Sequence, residues 1–176
     1  MTSTELATLL AAARDLLPQN MDWEMMNQVP KGFSGGFGKS LDPSIPDPYQ
    51  DYLKTANGGI FGRIVLFDAK SAPLSQFYAE TPPGAPVPLG QDEWYCIGKV
   101  NEDPLFMRRA DQSVWGFPDR GVVWSQSPDF EQWSKDLDGF LLEYVFGPGY
   151  ARITGADDTD PWSQVRRELG RAAGES

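Results

Sequence analysis

Residues 48–67, PYQDYLKTANGGIFGRIVLF, constrain the fold more than any other stretch, because they demand a helix, an abrupt stop and a buried strand in immediate succession. Pro48 suits the first turn of a helix, where its missing N–H costs nothing. Tyr49, Tyr52, Leu53 and Ala56 then recur at spacings of three and four, which puts them on one face. Asn57, Gly58 and Gly59 tolerate the left-handed backbone that closes a helix. The β-branched and aromatic content of Ile60–Phe67 predicts one well-buried strand. The stretch is a helix-to-sheet corner, and the rest of the chain must supply the other strands and a cover for them.

Upstream, Thr2-Ser3-Thr4-Glu5 has the form of a capping box, and Leu6, Leu9, Leu10, Ala13, Leu16 and Leu17 make the stripe of an amphipathic helix that Pro18 stops. Residues 19–48 show no sustained period and are rich in Gly and Pro. They read as a long loop or insertion, either contacting a partner or folded onto the body through Met21, Trp23, Met25 and Met26. Downstream, the proline-rich residues 72–89 read as an extended surface connection. Glu93–Val100, Leu105–Arg109, Val114–Phe117 and Val122–Ser125 read as strands separated by turn residues, and turns this short favour antiparallel neighbours. Ser127-Pro128-Asp129 predicts a helix start, with Phe130, Trp133, Leu137, Phe140, Leu141, Tyr144 and Val145 as its apolar face and Gly147-Pro148-Gly149 as its end. An acidic linker at 157–160 and a short helix from Pro161, carrying Trp162, Val165 and Leu169, close the chain. The fold class expected is α+β, a mainly antiparallel sheet of about five or six strands with packed helices. One domain is expected over residues 1–176, with its core at about 44–146, an insertion at 19–48 and an extension at 147–176.

The composition narrows the chemistry. With 25 acidic and 15 basic residues the net charge is -10, a field that repels nucleic acid and anionic lipid. Such a surface serves solubility or speeds encounter with a basic partner. The sequence holds no histidine, so the commonest general base and transition-metal ligand near neutral pH is missing. Cys96, the single cysteine, lies within an expected strand and reads as a small buried hydrophobe. No apolar run reaches the ~18 residues a bilayer requires, and the first residues lack a basic leader, so a cytoplasmic protein is expected. Gly32-Phe33-Ser34-Gly35-Gly36 matches a hydrolase G-x-S-x-G, but no histidine exists to accept the serine proton and no strand precedes it. Gly38-Lys39-Ser40 lacks the upstream glycine and the succeeding helix of a phosphate-binding loop. Asp157-Asp158-Thr159-Asp160 lacks the spacing of a calcium loop.

The order of motifs carries a resemblance. A proline, an aromatic, an apolar pair and Asn57-Gly58-Gly59 feeding a strand, then Trp94-Tyr95-Cys96-Ile97-Gly98, a hairpin-like Pro104 to Phe117 and a closing helix, resemble the SUKH superfamily over residues 44–146. That group contains yeast cell-wall-synthesis regulators and bacterial immunity proteins. The resemblance implies a structural role for Tyr49, Leu53, Asn57, Gly58 and Gly59, and a non-enzymatic protein that neutralises a bacterial toxin, in the nuclease case with carboxylates standing where phosphates would bind. The alternative is a regulatory or scaffold module, or a subunit of a larger assembly, that docks an endogenous protein. No catalytic residue, metal or cofactor is expected. The partner expected is a basic toxin domain, with no nucleic acid or membrane. From turn position and residue type, the candidate partner contacts are Asp92, Glu93, Glu102, Asp103, Asp111, Trp115 and Asp119, an aromatic anchor with an acidic rim.

Overall fold

The helix at the corner forms as its spacing predicts. In the computed structural model, which describes residues 2–80, 90–118, 123–127 and 129–174, helix α3 spans Asp47–Thr55 and buries Tyr49, Tyr52 and Leu53. The Tyr49 hydroxyl donates to the Phe67 carbonyl, with the Ile97 carbonyl also in reach at 3.1 Å, and the Tyr52 hydroxyl donates to the Gly58 carbonyl at 2.9 Å. These two phenols tie the helix to the sheet at the point where the chain turns.

Beyond the corner the chain forms a hairpin and not one strand. Strands β2 (Gly59–Phe61) and β3 (Ile64–Leu66) pair antiparallel through a tight turn at Gly62 and Arg63. Gly62 has φ of +61°, and a Cβ there would run into the Tyr150 hydroxyl, so the turn requires glycine on two counts. The 19–48 region is also more ordered than its composition suggests. Helix α2 (Met21–Met26) leads into β1 (Asn27–Gln28), which pairs with β2 at the edge of the sheet. Phe33 N–H then donates to the Leu53 carbonyl at 2.7 Å, satisfying one of the end carbonyls of α3.

Strands β4 (Trp94–Val100), β5 (Asp103–Arg108), β6 (Val114–Gly116) and β7 (Glu131–Ser134) complete a seven-stranded antiparallel meander in chain order, where five or six strands were expected. Two further expectations fail. Trp124–Gln126, at the end of the expected strand 122–125, is a 3-10 turn. The helix expected from Ser127 begins only at α5 (Leu137–Phe140), which continues as a wider turn through Val145. Phe130 and Trp133 explain this: Phe130 packs in one core and Trp133 against the other, on opposite faces of the sheet, so no single helical stripe holds both. The true helix start is Asp136, whose carboxylate accepts from Gly139 N–H at 2.7 Å.

Both faces of the sheet are covered, unequally. On the first face α1 (Thr4–Leu16), α3, α5, α6 (Gly149–Thr154) and α7 (Pro161–Gly174) enclose the larger core, with Phe61, Tyr95, Leu105 and Met107 from the strands. On the second face Trp94, Cys96, Phe106 and Phe117 form a small aromatic core with Tyr78, Trp115, Trp124 and Phe130. Its cover includes the 3-10 turn Gln76–Ala79, while α4 (Ser71–Leu74) buries Ala72 in the larger core; an extended connection was expected over both, and residues 81–89 lie outside the described residues. The carboxy-terminal helix docks: Trp162 is fully buried against Phe61 and Phe146, and its indole N–H donates to the Val145 carbonyl at 2.6 Å. Asp160 is correspondingly no solvated linker residue, since its carboxylate accepts from Tyr150 O–H and Ser163 N–H. No helix among the described residues is long and apolar enough to cross a membrane.

Candidate functional site at the acidic end of the sheet

Strand β4 divides the expected contact residues into two groups. Asp92 and Glu93 precede it, while Glu102 and Asp103 sit at the turn into β5, so seven residues of strand at ~3.3 Å each hold the groups roughly 23 Å apart. At the turn, Asn101 and Glu102 both have positive φ, and the exposed Glu102 carboxylate lies 3.8 Å from Lys99. This turn carries no tryptophan. Asp119 lies outside the described residues.

The other group converges. Register places Arg108 opposite Trp94, which brings Arg108 Nε to 2.6 Å from Glu93 Oε1 and its Nη1 to 3.8 Å from Asp111. Asp111 in turn accepts from both the N–H and the hydroxyl of Ser113, at 3.0 and 2.5 Å. The indole N–H of Trp115 donates to the same Ser113 oxygen at 2.8 Å. A chain of three side-chain hydrogen bonds and one ion pair, Arg108 to Asp111 at 3.8 Å, thus runs from a carboxylate at the mouth of β4 to a half-buried indole on β6. The two Ser113 donors hold the Asp111 carboxyl below the ordinary carboxylate range, and the bond to Glu93 raises the Arg108 guanidinium further. Asp111 therefore stays charged well below neutral pH, and the cation beside it never releases its proton.

Trp115 is held from behind by aromatic packing. Its ring meets Trp94 edge-on at 5.4 Å and lies at 5.3 Å from Phe130. The result is a stiff, half-buried aromatic anchor whose Ser113 partner joins it to Asp111, with Arg108 bridging Asp111 to Glu93 and the exposed Asp92 next to Glu93 in the chain. Arg108 and Ser113 were absent from the sequence-derived contacts, although alternation along β5 puts Arg108 on the same face as Phe106. Their part is to orient: they fix the rotamers of both acids and the tryptophan.

The motif residues of the corner are positioned otherwise, inside the molecule. Leu53 is fully buried, and Asn57 Oδ1 accepts from Ala69 N–H at 2.8 Å. Gly58 has φ of +79°, and a Cβ there would meet Asp68 N and Leu66 O at 2.8 Å. Their geometry holds the backbone of the corner. Among known proteins, the chain matches no family model and no curated sequence. The acidic, aromatic end of the sheet is therefore judged on its chemistry alone. Among the described residues no cluster of three or more His, Cys, Asp or Glu side chains is placed to hold a metal ion, and the exposed groups present there are charges and one indole, suited to a protein surface.

Proposed function

We propose that the protein is a non-enzymatic binding domain of the immunity kind, which neutralises a basic toxin domain by covering its active site. The observation that carries this reading is the Glu93–Arg108–Asp111–Ser113–Trp115 chain, a preorganised acidic rim around an aromatic anchor. Preordered side chains lose little entropy on binding, and tryptophan within a polar rim is the residue on which interface energy concentrates. The net charge of -10 would steer a cationic partner toward this surface and weaken its approach at high salt. The corner residues Tyr49, Leu53, Asn57, Gly58 and Gly59 support the same reading through their resemblance to the SUKH superfamily, in the structural role that it implies for them.

The decisive experiment is co-expression with the product of the adjacent gene. Growth arrest by that product, relieved by this protein and restored by the double substitution Asp92→Lys with Asp111→Lys, is the expected result. Arrest relieved equally well by the doubly substituted protein would remove the acidic rim from the reading. An adjacent product that causes no arrest would overturn the toxin assignment and leave the scaffold alternative.

A further inference from the structure

Helix α2 turns its apolar side chains toward water. Trp23 is the residue that points inward, its indole N–H donating to Gln164 Oε1 of α7 at 3.0 Å. At 100° per residue, Met21 and Met25 then occupy the opposite side as a ridge, and they are 73% and 74% exposed, while Met26, 54% exposed, lies beyond Asp22 toward the Trp23 side. Asp22 and Glu24 flank this ridge, both exposed and neither in an ion pair among the described residues.

The sheet beside the ridge is bare. The aromatic cover of the second face centres on β4–β6, so Gln28, Ile60 and Val65, in register across β1, β2 and β3, present an open strip. Two hollows of about 350 and 330 Å³ share Gln28 and Ile60; the first reaches Leu17, Pro18 and Met25, the second Phe67 and Asp68. Together they form a trough that meets the ridge at Met25 and Glu24. Among the described residues the one cation lining it, Arg14, has its guanidinium bound to the Val29 and Pro30 carbonyls, each at 3.0 Å.

We propose that this ridge and trough dock a basic amphipathic helix of a partner protein. Unbranched thioethers adapt to an incoming apolar stripe, while Asp22, Glu24 and Asp68 stand at the margins to meet its cationic flanks. A strand is the poorer occupant, because β1 is two residues long and Pro30, just beyond it, has no N–H to offer. This surface is distinct from the Trp115 rim and stands without it.

The test uses the five methionines of the whole protein, labelled at their methyl carbons and titrated by NMR with a synthetic leucine–lysine peptide of helical spacing. Shifts of Met21 and Met25, with the buried Met107 unmoved, are expected, and the same composition in scrambled order should leave all of them in place. The charge-neutral double substitution Met21→Ser with Met25→Ser should weaken peptide binding about tenfold or more. Stationary ridge methyls, or an equal response to the scrambled peptide, would overturn the proposal. So would broadening of the ridge methyls with protein concentration alone, which would mean that a second copy covers them. Toxin neutralisation through the Trp115 rim would survive the methionine substitutions, so the two readings fail separately.

Discussion

At the corner between α3 and β2, a single side-chain oxygen does what a further turn of helix cannot. Asn57 Oδ1 accepts from Ala69 N–H at 2.8 Å while its own N–H reaches the Lys31 carbonyl at 3.2 Å. Asn57→Ala should lower stability by about 1–2 kcal/mol, read as the urea midpoint, whereas Asn57→Asp keeps the acceptor and loses less. Burial pushes the Cys96 thiol up to about 12, so a thiol reagent at about pH 8 should leave the native protein unmodified and react fully in denaturant. Burial likewise raises the phenols of Tyr49, Tyr52, Tyr95 and Tyr150 above their ordinary 10.0. The unfolded chain loses these protons from about pH 10 upward while the folded chain retains them. Stability is therefore whole below about pH 10 and falls above it, by about 1.4 kcal/mol per pH unit for each of the fully buried Tyr49 and Tyr52. Circular dichroism and tyrosinate absorbance should change together in one alkaline unfolding transition. The identity of these residues as core or corner was legible from their spacing, but their hydroxyl partners were not, because Phe67 and Ile97 reach Tyr49 only once two strands have paired.

Strand β7 shows how an element can be hidden by its neighbours. Phe130, Trp133 and Leu137 sit at helical spacings, and spacing is a statement about one face of one element. In the folded chain Phe130 and Trp133 belong to opposite faces of the sheet, and pairing with β6 outweighs the helical pattern. Trp133 lies over Gly116, where a Cβ would run into its ring. Gly116→Ala should therefore displace the indole, loosen β7 and cost about 1–3 kcal/mol, seen as a changed tryptophan emission and a lower denaturation midpoint. The split of Ile60–Phe67 into a hairpin has a similar cause. Gly62 was visible in the run, yet its need became definite only through Tyr150 and Asn27, whose hydroxyl and side-chain oxygen take the N–H groups of Arg63 and Gly62 at 3.0 and 2.7 Å. Helix α2 escaped detection because a six-residue helix spans less than two turns, too few for a period to register.

Over the whole molecule, the carboxy-terminal helix closes the larger core. Trp162 contacts the β2–β3 hairpin and Phe146 at once, so Trp162→Ala should cost about 3–5 kcal/mol and lower the thermal midpoint by several degrees. The charge distribution acts at the same scale. Affinity for a basic partner should fall as salt rises, and the fall should be shallower for Asp92→Lys with Asp111→Lys, measured as association rate against ionic strength. By itself the sequence determined the α+β class, the first helix, the corner at residues 48–59, strands β4 to β6 and the acidic field, because each depends on local spacing, turn chemistry or summed charge. Only the tertiary structure decided that Glu93, Asp111 and Trp115 share a site while Glu102 stands at the far end of the strand, and that the α2 methionines face water. Those outcomes depend on strand register and on which side of a helix a distant residue such as Gln164 claims, and neither is written in any one stretch of the chain.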